Sequence, residues 1–316
     1  LTVSGGKGDD YIDLGTGKGN ILVYAILVIS AIIWVMPILW LILQAFSGES
    51  GVMSRSRLIP EEFTFNNFYY LFAPNTHPES ATNFSHDKIA LWGGPVLTGF
   101  TVWLINTLII AVLVCIINTV FVLAVAYSLS RFRFKARPMF MKLNLILGMF
   151  PGFLGMIINY WLMKEVFHLN GQIWALVILY SAGSGMGFFI SKGFFDTISR
   201  SIDEAAMIDG ANRAQIFWNI ILPLAKPIVV YTLLTSFMSP WGDYITSSYI
   251  IGLQNDSQWT VAIGLYKWAT DNVNYSNSYY TRYAAGSVVI ALPLSILFIA
   301  TQRYYVGGVT GGAVKG

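Results

Sequence analysis

Apolar positions along this chain fall in long uninterrupted runs. Six stretches, near 21–46, 96–130, 139–163, 171–191, 219–240 and 284–302, are long enough to cross a membrane as helices. An α-helix rises about 1.5 Å per residue and needs about 20 apolar residues to span a hydrocarbon core of about 30 Å. No charge lies between Ile21 and Phe46, and Val96 to Ser130 is uncharged for 35 residues. Wholly helical, the second run would reach about 52 Å, so it is expected to tilt, project beyond the bilayer or break. None of the runs alternates with the period of two that marks a membrane barrel. The pattern predicts an all-α membrane protein with six transmembrane helices.

The basic residues set an orientation. The connection after the second run reads RFRFKARP, with Arg131, Arg133, Lys135 and Arg137, no acid, and Lys142 just beyond. With the N-terminus inside, the inner segments hold these five plus Lys7, Lys18, Lys192, Arg200, Arg213, Lys226, Arg303 and Lys315, 13 of 19 basic residues. Arg55, Arg57, Lys88, Lys164, Lys267 and Arg282 then lie outside. Both termini are expected to be cytoplasmic, with two long external segments, about 47–95 and 241–283. The second is rich in Trp and Tyr.

Composition narrows the function class. The chain is 55% hydrophobic and 11% charged, against about a quarter charged in soluble domains, which excludes a disordered chain and argues against a soluble enzyme. Aromatic residues make up 15%, which suits interfacial belts. A net charge of +3 gives no reason to expect a nucleic-acid partner. The single cysteine, Cys115, excludes an intrachain disulfide and is read as a buried, inert thiol.

Other features are read as bland. Residues 1–20 form a polar, Gly-rich tail, and the first run is read as a retained helix. Gly5 to Asp13 matches one copy of a calcium-binding nonapeptide, but one copy cannot stack into a β-roll. Gly15-Thr16-Gly17-Lys18 lacks the first glycine and the Ser/Thr of a phosphate loop, so no ATP site is expected on this chain. His77, His86 and His168 lack metal-ligand spacing and are read as solvated loop residues. No acid lies inside a run, and Lys142 and Lys226 sit near run ends, which counts against an ion-driven carrier. Gly148 with Gly152, and Gly183 with Gly187, form GxxxG pairs. Pro37, Pro151, Pro227 and Pro293 can kink helices. These features fit a gated pathway and plain packing equally. Asn144, Asn159 and Tyr160 are candidate pathway-facing polar groups, though helix–helix hydrogen bonds would explain them as well.

The informative segment runs from Ser199 to Pro223. Ser201-Ile-Asp-Glu204 reads as a capping box, placing a helix start at Ser201 with Asp203 and Glu204 at its positive end. Gly210 supplies a left-handed stop and Asn212 can cap the next helix. The expectation is a short helix, a sharp turn, then a membrane helix. From spacing alone, docking on a partner and lying on the membrane surface are equally open.

Glu204-Ala205-Ala206, three residues, Gly210, nine residues, then Ile220-x-Leu222-Pro223 matches the EAA signature of ABC importer permeases at every specified position. The chain resembles the maltose-type, MalG-like carbohydrate permeases over nearly its whole length, including the tail Arg303 to Gly316. The Gly-rich N-terminal segment has no counterpart there. The resemblance implies a MetI-like type I importer fold. It also implies a second homologous permease subunit, two ATPase subunits that bind ATP and Mg, a periplasmic or surface-tethered solute-binding protein and a carbohydrate substrate. No cofactor and no catalytic or metal site is implied for this chain. The helix Ser201–Asp209 would be the coupling helix, with Ser201, Glu204, Ala205, Ala206, Met207, Asp209, Gly210, Leu222 and Pro223 in the ATPase-coupling loop. Glu204 would offer a charged contact, Ala205 and Ala206 close packing, and Gly210 the turn. Gly311, Gly312 and Lys315 would reach between ATPases, and the aromatic segment with Trp241, Tyr244, Tyr249, Trp259, Tyr266 and Trp268 would probe the binding protein. The organisation expected is a tail (1–20), a first helix with its external loop (21–95), a five-helix core (96–303) and a C-terminal tail (304–316). Neutral maltodextrin-like sugars and acidic fragments such as alginate both stay open. A secondary sugar carrier is the alternative, and a membrane scaffold or sensor would leave the EAA loop unexplained.

Overall fold

A computed structural model of the chain describes residues 18–48, 57–73, 89–149, 152–182, 187–270 and 279–313. The N-terminal nonapeptide, the glycines of the phosphate-loop-like stretch, His77, His86, Pro151, Gly183 and Lys315 lie outside those residues. Almost all of the described chain is helical. In order, α1 is Lys18–Ala45, α2 Asn66–Phe72, α3 Gly99–Arg131, α4 Arg137–Gly148, α5 Gly152–Trp161, α6 Ile173–Ala182, α7 Gly187–Thr197 and α8 Arg200–Ile208. Then come α9 Arg213–Leu224, α10 Lys226–Gly242, α11 Tyr244–Ile251, α12 Val261–Thr270 and α13 Tyr279–Ala313. A two-strand hairpin, β1 Ile89–Ala90 against β2 Val96–Leu97, precedes α3.

The 35-residue uncharged run resolves into one unbroken helix. α3 has 33 residues, about 50 Å of rise. Thr98 caps it by accepting from the Thr101 amide at 3.3 Å, and it ends where Phe132 turns extended. It is the axis of the fold, with α6, α7, α10 and α12 packed along it. Around its Thr98 end lies one core, with Phe100, Trp103, Trp259 and Trp268. Around its Arg131 end lies a second, with Tyr127, Phe195, Phe217 and Ala206.

Polar side chains of α3 hold the segment 256–261. Trp103 Nε1 donates to the Asp256 carbonyl at 3.0 Å, and Asn106 Nδ2 to those of Ser257 and Trp259 at 2.9 and 3.0 Å. Thr107 Oγ1 accepts from the Val261 amide at 2.8 Å. These bonds satisfy backbone groups that a break in helix leaves open. Gly264 then fits beneath the Trp103 ring: a Cβ there would stand 1.9 Å from Cε3. The expected aromatic loop 241–283 is therefore largely helical core in its described part. Trp259 and Trp268 are buried, and Tyr244 stacks on Tyr266 with centroids 3.8 Å apart.

By length and composition, Val23–Ala45, Gly99–Arg131, Ile173–Thr197 and Tyr280–Tyr304 qualify as membrane spans among the described residues. A fifth is the pair α9–α10, bent by 87°. The run 219–240 is thus not one straight helix. The bend falls at Ala225, between Pro223 and Pro227, and each proline lacks the amide that would continue the ladder. The run 139–163 divides into α4 and α5, each too short to qualify alone. α4 ends at Gly148 and α5 begins at Gly152, and glycine disfavours helix. Neither Gly148 nor Gly152 has an atom of another residue within 4 Å of a built Cβ, whereas Gly187 sits 3.8 Å from Val122 of α3. Cys115 is half-buried, not fully buried, with Sγ 3.4 Å from the Leu233 carbonyl. His168 takes a positive φ of 53° in an exposed turn. The C-terminal tail continues α13 as helix through Ala313, so Gly311 and Gly312 are helical.

Candidate coupling site and central cavity

Beside the Arg131 end of α3, a set of charged bonds fixes the short helix α8. Arg131 Nε lies 3.1 Å from Asp203 Oδ2, with both side chains buried. Arg131 Nη2 also donates to the Ile198 carbonyl at 3.0 Å, and Arg200 Nη2 to the Ser130 carbonyl at 3.1 Å. Ser130 Oγ donates to Asp196 Oδ1 at 2.6 Å, and Lys192 Nζ pairs with Asp196 Oδ2 at 2.5 Å. Removing one member of such a buried pair strands the other charge. α8 is therefore locked to the end of α3 as a rigid attachment.

These ties also correct the expected helix start. Ser199, not Ser201, is the cap: its Oγ accepts from the Ser201 amide at 3.3 Å and lies 2.7 Å from Ser201 Oγ. With Arg200 and Arg131 bound to carbonyls on either side, the first turn begins at Arg200, and no capping box forms between Ser201 and Glu204. Asp203 faces the interior instead of solvent at the helix end.

The far end of α8 closes as sequence chemistry requires. Gly210 has φ +87°, and its amide donates to Met207 O at 3.1 Å while Ala211 donates to Ala206 O at 2.9 Å. That pair of bonds is a Schellman stop, which favours glycine. Asn212 and Gln215 then form a reciprocal capping box, at 2.9 and 2.8 Å, opening α9.

Burial sorts the loop residues into two faces. Ala206 turns inward into the core with Tyr127 and Phe217, where it serves this chain's own packing. Ser201, Glu204, Ala205, Met207 and Asp209 are exposed. Ile208 is 86% exposed and lies at the centre of the outward face, an apolar knob absent from the sequence-based site. Leu222 is half-buried against the same core, and Pro223 is exposed at the α9–α10 bend.

A cavity of about 520 Å³ lies between α3, α5, α6 and α10. Its polar lining is Asn118, Asn159, Tyr180, Thr235, Ser236, Ser239 and Thr246, and no charged side chain lines it among the described residues. Asn118 Nδ2 donates to Ser236 Oγ at 2.9 Å, while its buried Oδ1 has no partner. Tyr180 donates to Asp243 Oδ2 at 2.9 Å. Of the three expected polar groups only Asn159 is here. Tyr160 pairs with Tyr249 (centroids 5.2 Å) beside a separate cavity, and Asn144 on α4 is not in the lining. Asn118, Tyr180 and Ser236 escaped the sequence reading because no spacing connects residues drawn from three separate helices.

A bundle of apolar helices, a polar cavity within it and a rigid helix clamped at one end define a membrane transport permease. Residues 121–310 match the family described as binding-protein-dependent transport system inner membrane component, and the chain belongs to that family. It is 33% identical over 294 residues to the galactooligosaccharides transport system permease protein GanQ of Bacillus subtilis (strain 168), covering 93% of this chain and 94% of that one. It is 33% identical over 297 residues to the maltodextrin transport system permease protein MalD of Streptococcus pneumoniae (strain ATCC BAA-255 / R6), covering 93% and 95%. A chain of a bacterial ABC transporter involved in import of the acidic polysaccharide alginate shares the fold, with a TM-score of 0.72 at 21% identity over 92% of this chain and 99% of that one.

Proposed function

We propose that this permease forms half of the pathway of an ATP-driven importer of neutral oligosaccharides. A second, homologous permease completes the pathway, two ATPase subunits bind ATP and Mg, and a solute-binding protein delivers the sugar. The observation that carries this reading is α8: clamped through Arg131–Asp203 to the central helix α3, stopped at Gly210 and presenting Ile208, Ala205 and Glu204 outward. A helix so held transmits a push to α3 instead of absorbing it. The chain itself carries out no chemistry.

The Arg131 end is cytoplasmic in this proposal, because Arg131, Arg133, Lys135 and Arg137 cluster there, and both termini lie on that side. Gly311, Gly312 and Lys315 then extend toward the ATPases. The uncharged lining of the central cavity supports a neutral substrate, since a uronate chain brings a carboxylate per residue that would need a cation in a low-dielectric site. The carrying proteins named for galactooligosaccharides and maltodextrin agree with that choice. The test is uptake by reconstituted vesicles. The expected result is ATP-dependent accumulation of a neutral oligosaccharide and none of an alginate fragment; the reverse preference would overturn the substrate assignment.

A further inference from the structure

Between α8 and the segment after α3 lies a second cavity, of about 440 Å³. Four guanidiniums line it, those of Arg131, Arg133, Arg200 and Arg213, facing only the carboxylates of Asp203 and Glu204. Asp203 is already committed to Arg131 at 3.1 Å. Arg133, Arg200 and Arg213 are exposed at the rim and pair with no carboxylate among the described residues. Arg213 lies over the Phe132 ring, 5.7 Å from its centroid. The surplus of positive charge is held in place and calls for an anion.

The surroundings identify its source. The cavity opens where α3 ends, and the next segment presents Phe134, Met139 and Phe140 as exposed apolar side chains, 41, 62 and 54% accessible. Lys135, Arg137 and Lys142 are interleaved with them. Basic clusters beside an apolar surface at the inner boundary of a bilayer recognise anionic lipid headgroups. We propose that this cavity binds the phosphate of an anionic phospholipid, of the phosphatidylglycerol or cardiolipin class, with its acyl chains along Phe134 and Phe140. The site lies on the flank of α8 formed by Arg200, Glu204 and Met207. It shares Glu204 with the edge of the outward face centred on Ile208 and does not include Ile208 itself. Resting on the proposed coupling role and inner-side placement of α8, a lipid bound there makes ATPase docking sensitive to the charge of the inner leaflet.

The test is native mass spectrometry of the full chain, purified in mild detergent with whatever accompanies it, and titrated with phosphatidylglycerol, phosphatidylcholine or inorganic phosphate. Wild type is expected to retain phosphatidylglycerol in preference to phosphatidylcholine. Arg133→Gln and Arg213→Gln are each expected to lower that occupancy by about five-fold, since one basic residue near a charged surface contributes about that factor. Arg133→Lys should restore it. Both positions are exposed, and an unchanged unfolding midpoint in each variant verifies that the fold is intact. Equal occupancy in wild type and both Gln variants would overturn the proposal. Displacement of phosphatidylglycerol by millimolar inorganic phosphate, or stabilisation by phosphate alone, would overturn the lipid as source.

Discussion

At Gly264 the backbone of α12 meets the face of Trp103, and the ring cannot step aside because Nε1 is bonded to the Asp256 carbonyl. Gly264→Ala would therefore overpack the core at a cost of about 1–3 kcal/mol, read as a lower unfolding midpoint in detergent. An unchanged midpoint would contradict this packing. Asp203→Ala would leave Arg131 buried without its partner and is expected to cost about 3–5 kcal/mol. Arg131→Met added to Asp203→Ala should recover much of that loss, and a double variant no more stable than the single one would count against the buried pair. Neither feature was legible in the sequence. Arg131 reads as one of a basic run and Asp203 as a helix-end carboxylate, and only the meeting of α3 with α8 turns them toward each other. Gly210 and Asn212 were legible, because a left-handed stop and a side-chain cap are local chemistry.

Among the elements, α8 carries the functional argument. Ile208→Asp places a charge at the centre of the proposed docking face and is expected to weaken ATPase binding by about 2 kcal/mol or more, roughly thirty-fold. Co-purification of the ATPase at wild-type yield would contradict that. Glu204→Lys is expected to weaken the same association and substrate-stimulated hydrolysis, more mildly because Glu204 sits at the edge of the face. Gly210→Val should abolish uptake, since a branched side chain resists φ +87°. Retained uptake with normal assembly would exclude the turn from coupling. The bend between α9 and α10 shows where sequence reading stopped short. Pro227 was recognised as a possible kink, but only the combination with Pro223 around Ala225 turns one expected span into two helices at 87°.

On the scale of the whole molecule, apolar run length foretold an all-helical membrane protein, and the family match agrees. It did not foretell how each run is used. The longest run became the unbroken central helix, because nothing between Gly99 and Arg131 interrupts the ladder. The run 139–163 is described as two helices, one ending at Gly148 and one beginning at Gly152. The aromatic segment was expected as an external loop because it falls between two apolar runs on the side with fewer basic residues. Trp259 and Trp268 instead fill the core beside Trp103, a contact between residues far apart in the chain. The central cavity likewise depends on tertiary assembly, and its uncharged lining underlies the neutral-substrate proposal.

The central claim is that force enters this chain through α8 from ATPase subunits outside it. Mass spectrometry of the complex recovered in mild detergent tests that claim most directly. The account predicts a second, different permease together with a pair of ATPase subunits. Recovery of this chain alone, with intact sugar transport in vesicles lacking ATP, would contradict it and establish a secondary carrier.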